Sequence, residues 1–159
     1  MRHLFKRNNE NKAEILPPYT KTAEDYAEKC VSCGDCIQAC PENVLVKSPT
    51  NQRPHLDFTQ GSCSYCTQCA VACEAGALTI ENAKPLPVKA QITPSCLSYQ
   101  GITCRSCAEY CEQSAIRFHL ATQGKQIPQL DTQACNGCGA CFYICPNNSI
   151  EMIRQPTAT

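Results

Sequence analysis

The sequence predicts an α+β fold: two small tandem units in which short helices and small antiparallel β-hairpins frame cysteine-rich loops. Three observations carry this prediction. Sixteen cysteines in 159 residues fall into four groups of four. Five residues past the last cysteine of each group stands an aliphatic side chain: Leu45, Leu78, Ile116 and Ile150. Two segments between groups read strand, turn, strand, and a Pro-bearing stretch divides the chain near its middle.

Cysteine at this density marks a metal or disulfide framework. The remaining core material is thin, with no Trp, four Phe, two Met and eleven Pro, so the cysteines must supply part of the folding energy. Disulfides would need an oxidising compartment and a secretory signal. Residues 1–12 show no apolar run after their basic residues and no Arg-Arg pair, so the expected location is cytoplasmic. No stretch approaches the roughly 18 apolar residues of a membrane span. Fourteen Lys and Arg balance fourteen Asp and Glu, which gives no reason to expect a nucleic-acid partner.

The repeat sets the element order. The last cysteines fall at 40, 73, 111 and 145, in steps of 33, 38 and 34. Three groups read C-x2-C-x2-C-x3-C: Cys30, Cys33, Cys36, Cys40; Cys63, Cys66, Cys69, Cys73; and Cys135, Cys138, Cys141, Cys145. The third reads C-x7-C-x2-C-x3-C, at Cys96, Cys104, Cys107 and Cys111, and its five extra residues explain the long step. Ala23 to Lys29 has helical character. Val44 to Val46 and His55 to Phe58 form one expected hairpin around Pro49-Thr50-Asn51. Ile116 to Leu120 and Ile127 to Leu130 form another around Gly124. Val88 to Ile92 is an expected strand. Apolar residues seven past the last cysteine (Ile80, Phe118, Met152) complete a strand-like alternation in three repeats.

The expected organisation is a tail over 1–28, a first unit over 29–83 with groups one and two, and a linker over 84–87. A second unit over 88–154 holds groups three and four, and 155–159 is a C-terminal tail.

Spacing chooses the metal. Thiolates suit zinc or iron–sulfur clusters, but structural zinc sites pair C-x2-C units a dozen or more residues apart. Three cysteines at consecutive three-residue steps can instead wrap a cube, one thiolate to each of three irons. In two-cluster ferredoxins the fourth cysteine ligates the other cluster. All sixteen cysteines are therefore candidate ligands for four [4Fe–4S] clusters, in two bacterial-ferredoxin-like units, with the stretched third group the least regular. Gly34, Gly137 and Gly139 fall between ligands, where the backbone turns sharply. Pro41 and Pro146 end the short helices.

Two pairings satisfy the spacing. In sequence order, Cys30, Cys33 and Cys36 join Cys73, Cys63, Cys66 and Cys69 join Cys40, and the third and fourth groups exchange Cys145 and Cys111. Alternatively, groups two and three nest inside one and four. Arg105, between ligands, either raises a cluster potential or points to water. Tyr65, Tyr110, Phe142 and Tyr143 are expected to shield the sulfurs, while His3, His55 and His119 suit surface or strand positions. No nucleotide-binding motif and no nucleophile–base set appears, so the chain is expected to have no substrate site of its own.

The run from Cys96 to Glu112, with its long first gap, resembles NapF, the family of ferredoxin-type proteins of the periplasmic nitrate reductase system. Gln129 to Cys141 and Pro17-Pro18-Tyr19 share the likeness, which covers about residues 15 to 153. The resemblance implies a cytoplasmic accessory protein whose partner is the catalytic molybdoprotein subunit of that reductase, and whose role is to load or reduce that subunit's cluster before export.

Overall fold

A computed structural model describes residues 14–121 and 124–155; the basic N-terminal segment with His3 lies outside them. The first unit opens with a helix, α1 (Ala23–Lys29). Thr22 caps it, accepting the Asp25 N–H on Oγ1 at 3.1 Å, a contact of about 1 kcal/mol. Acidic residues fill the first turn and Lys29 the last, matching the helix dipole. Tyr26 is buried and donates to the Pro54 carbonyl at 2.7 Å, tying the helix to the first hairpin. That hairpin pairs β1 (Leu45–Lys47) with β2 (Pro54–Leu56), Leu45 opposite Leu56.

Residues 14–28, assigned to a tail by composition, are packed against this unit from Glu14 onward. Ile15 bridges Leu56, whose N–H donates to the Ile15 carbonyl at 2.8 Å. Tyr19, Thr20 and Tyr26 are buried.

Short helices α2 (Asp35–Gln38) and α3 (Gln68–Val71) carry the third cysteines of their groups, Cys36 and Cys69. The alternation at Leu78 and Ile80 suggests a strand, but Ile80–Asn82 is a 3-10 turn with Ile80 48 % exposed. The reason is a missing partner. An opening strand would have paired here, but the described residues ahead of Cys30 supply none, and the Thr79 N–H goes to the Tyr19 carbonyl instead.

The second unit has both strands. β3 (Val88–Ile92) pairs antiparallel with β6 (Ile150–Arg154), Ala90 opposite Met152. Between them run α4 (Ser106–Glu109), the hairpin β4 (Ile116–Leu120) with β5 (Gln126–Leu130), and α5 (Ala140–Ile144). Pro128 costs β5 no second neighbour, because each sheet among the described residues has two strands. The result is an α+β fold of two tandem units.

Leu45, Leu78, Ile116 and Ile150 are all buried, as their shared place in the repeat predicts. Each is preceded by a second buried residue: Val44, Ala77, Ala115 or Ser149. These pairs lie directly after the cysteine loops and form the floor beneath them. Among the described residues no helix is long and apolar enough to cross a membrane.

Candidate metal centres

The cysteine loops owe their shape to left-handed backbone at fixed places. Between first and second cysteines these are Ser32, Tyr65 and Gly137; between second and third they are Gly34, Thr67 and Gly139, with φ from 54° to 95°. Glycine reaches this region freely, while Ser, Thr and Tyr pay a steric cost there, so the loop geometry outranks local preference. A third site recurs in all four groups. Asn43, Gly76, Ser114 and Asn148, three residues past the last cysteine, have positive φ and donate their N–H to that cysteine's carbonyl at 2.8–3.3 Å. The Asn, Gly and Asn there are a turn signal legible in the sequence but overlooked.

The thiols assemble into four quartets. Cys30, Cys33, Cys36 and Cys73 line one solvent-open cleft of about 330 Å³. Cys40, Cys63, Cys66 and Cys69 line another of about 320 Å³. Burial pushes the Cys36 thiol up to about 12, helped by Cys73, Cys30 and Cys33. Cys69 is likewise pushed up to about 12, by burial and then by Cys63, Cys36, Cys40 and Cys66.

The second unit repeats the scheme. Burial raises Cys107 to about 11, followed by Cys96, Cys104 and Cys145. It raises Cys141 to about 12, followed by Cys138, Cys135, Cys107 and Cys111. The structure thus brings the groups together in sequence order, not nested.

These quartets fit a cluster better than a lone ion. Among the described residues no three or more His, Cys, Asp or Glu converge on the position of a single metal ion. In the first unit the thiols line clefts instead, as an inorganic cube with one thiolate per iron requires and tetrahedral zinc does not. In the second unit the Ala115 N–H donates to Cys111 Sγ at 3.3 Å and the Ser149 N–H to Cys145 Sγ at 3.2 Å. Such donors stabilise negative charge on cluster sulfur.

The stretched third group keeps its quartet. Its extra residues fold on themselves: Ser98, buried at 1 % exposure, donates to the Cys104 carbonyl at 2.7 Å, and the Ile102 N–H to the Leu97 carbonyl at 2.9 Å. Cys96 is thereby returned to Cys104 and Cys107. Arg105 departs from the other loops, with φ −133° where they are left-handed, and its guanidinium carbon lies 5.5 Å from the Phe118 ring centroid.

The aromatic residues divide. Phe142 packs against Phe58 at 6.4 Å between centroids. Tyr110, the residue that caps α4, and Tyr143, in α5, are more than half exposed and do not shield the sulfurs. Tyr65 does more than shield. Its hydroxyl donates to the Asn136 carbonyl at 2.7 Å and accepts the Leu86 N–H at 3.0 Å. Lys89, which no sequence pattern singled out, donates from Nζ to the Cys135 carbonyl. His55 lies in β2 and His119, exposed, in β4.

Residues 29–84 and 102–149 each match the 4Fe-4S dicluster domain family. The chain is 35 % identical over 136 residues to the ferredoxin-type protein NapF of Escherichia coli, covering 86 % of this chain and 82 % of that one. It is 36 % identical over 149 residues to NapF of Haemophilus influenzae, covering 94 % and 84 %. It is 32 % identical over 148 residues to the methylamine utilization ferredoxin-type protein MauM of Methylorubrum extorquens, covering 82 % and 67 %. Two dicluster domains and sixteen cysteines fit [4Fe–4S] clusters, up to four.

Proposed function

Because the chain belongs to the NapF family of ferredoxin-type 4Fe-4S proteins, we propose that it acts in the cytoplasm to mature the catalytic molybdoprotein subunit of periplasmic nitrate reductase. It loads or reduces that subunit's own [4Fe–4S] cluster before export. The observation that supports an iron–sulfur role is the four thiol quartets. Cys30, Cys33, Cys36 and Cys73 hold one cluster, and Cys63, Cys66, Cys69 and Cys40 a second. Cys96, Cys104, Cys107 and Cys145 hold a third, and Cys135, Cys138, Cys141 and Cys111 the fourth. When bound, such clusters supply one-electron redox chemistry.

The chain's own residues set the conditions for that chemistry. Buried Cys36, Cys69 and Cys141 anchor the inner side of their quartets, while exposed Cys33 and Cys66 leave an edge open to a partner. The N–H groups of Ala115 and Ser149 donate to Cys111 Sγ and Cys145 Sγ, the fourth cysteines of the second unit, and stabilise negative charge there. The reading includes no substrate chemistry of its own.

A second reading, a general electron-transfer protein, is favoured by the likeness to MauM, whose name places it in methylamine utilization. Deleting the gene and assaying exported nitrate reductase separates the two. Loss of activity and of cluster content in the reductase is the expected result. Unchanged activity and cluster content would leave only the second reading.

A further inference from the structure

The two units meet along one seam, between the group-two and group-four loops. The Cys63 N–H donates to the Cys138 carbonyl at 2.8 Å, joining ligand loops of different units directly. Tyr65, two residues on, clamps the same place through Asn136 and Leu86. Leu86 belongs to the expected linker, yet it is buried and its N–H also points at the Asn136 carbonyl, at 3.0 Å. Small residues make the approach possible. A Cβ at Gly137 would lie 3.1 Å from Leu86 Cβ, and one at Gly139 would lie 2.6 Å from Phe58 Cγ. Phe58 and Phe142 close the seam from the two sides.

We infer that this seam joins all four cluster sites into one row, in the order of groups one, two, four, three, with Tyr65 as the residue that holds the crossing. The inference rests on the reading of the quartets as [4Fe–4S] sites. Within each unit the neighbours are fixed by the exchange of the fourth cysteines, Cys73 with Cys40 and Cys145 with Cys111. Between units, the Cys63–Cys138 backbone hydrogen bond and the Tyr65–Asn136 hydrogen bond bring groups two and four together. One electron crosses per event, leaving one unit oxidised by one and the other reduced by one. No bond forms or breaks, and no proton moves. Tyr65 is a positioning residue, since its hydroxyl acts through the backbone of Asn136 and Leu86.

The test uses the full-length protein, purified anaerobically and reduced with dithionite. An iron and sulfide count comes first. About sixteen irons are expected for four clusters of four, and their absence would overturn the underlying cluster reading rather than the row. Electron paramagnetic resonance then compares Cys66→Ser with Cys33→Ser. The group-three and group-four signals are common to both variants. In Cys66→Ser the group-four signal should lose the relaxation enhancement that a reduced neighbour across the seam supplies, and in Cys33→Ser it should keep it. Equal relaxation in both, or loss in Cys33→Ser alone, would overturn the order.

Tyr65→Phe retains every ligand and the ring, so it keeps the question open should Cys66→Ser fail to fold. At full iron content it should show faster amide exchange in residues 84–88 and 135–139 and a partial loss of the enhancement. Tyr99→Phe, whose hydroxyl lies 3.5 Å from the Pro128 carbonyl within the second unit, should show neither. A lower thermal midpoint in Tyr65→Phe without either change would mark the hydroxyl as packing alone and overturn its role.

Discussion

Gly139 sits so close to Phe58 that a Cβ at Gly139 would lie 2.6 Å from the ring's Cγ and Cε1. The glycine starts α5 in the second unit, with φ +83°; the ring belongs to the segment after β2 in the first. Gly139→Ala should therefore cost on the order of 3 kcal/mol, from left-handed strain and overpacking together. Phe58→Ala alone should cost a similar amount, about 3 kcal/mol, by leaving a cavity. The double variant should cost clearly less than the sum, because removing the ring relieves the clash. Thermal midpoints of the anaerobic holoprotein check this, and strict additivity would show that the two residues do not meet.

Cross-group ligation has a spectroscopic consequence. The Cys73 thiol lines the cleft of Cys30, Cys33 and Cys36, although it lies only four residues past Cys69 in sequence. Cys73→Ser should perturb the same cluster signal as Cys33→Ser, while Cys40→Ser should match Cys66→Ser. A nested pairing would give different partners, with Cys73→Ser matching a second-unit variant.

The third group depends on Ser98. Its buried hydroxyl carries the Cys104 carbonyl across the extra loop. Ser98→Ala leaves that carbonyl without its partner at a cost of about 1–3 kcal/mol. Iron content under mild chelation should fall first from about sixteen toward about twelve, one cluster of four. Simultaneous loss from all four sites would contradict a local role.

A cation stands against the group-four loop. Lys89 Nζ donates to the Cys135 carbonyl, and a fixed positive charge there favours the reduced cluster. Lys89→Met should lower one reduction potential by tens of millivolts, on the scale where about 59 mV is a tenfold change for a one-electron couple. A redox titration followed by electron paramagnetic resonance resolves the shift; four unchanged potentials would refute it.

Cluster assembly should consume base. With Cys63 and Cys107 pushed up to about 11 and Cys36, Cys69 and Cys141 to about 12, first by burial, these thiols are protonated at neutral pH in the metal-free chain. A raised thiol value favours the proton, and ligation must displace it. Reconstitution with iron and sulfide should therefore release protons and be tighter at pH 8.5 than at pH 7, within about the range where ordinary thiols begin to ionise. A pH-independent uptake would count against this. The same sign holds for the metal-free fold. Burying neutral thiols contributes stability that is present below the unfolded value, about 8.5, and is lost as pH rises toward the folded values.

By itself the sequence determined what local spacing can determine. Three-residue steps between cysteines set the loop around each site, the aliphatic residue five places on became the buried floor, and Val88 to Ile92 and Ile116 to Leu120 were legible as strands because their alternation found partners. The same alternation at Leu78 and Ile80 misled, since a strand needs a neighbour and none of the described residues ahead of Cys30 forms one. Only the tertiary structure decided which quartets close, with Cys73 crossing to Cys36 and Cys145 to Cys107. It also decided that Leu86 is buried, with its N–H on the Asn136 carbonyl and the Tyr65 hydroxyl. The placing of Leu86 depends on hydrogen bonds between distant loops, such as Tyr65 to Asn136, 71 positions apart. No periodicity records such a bond, because its energy exists only once both loops have been placed.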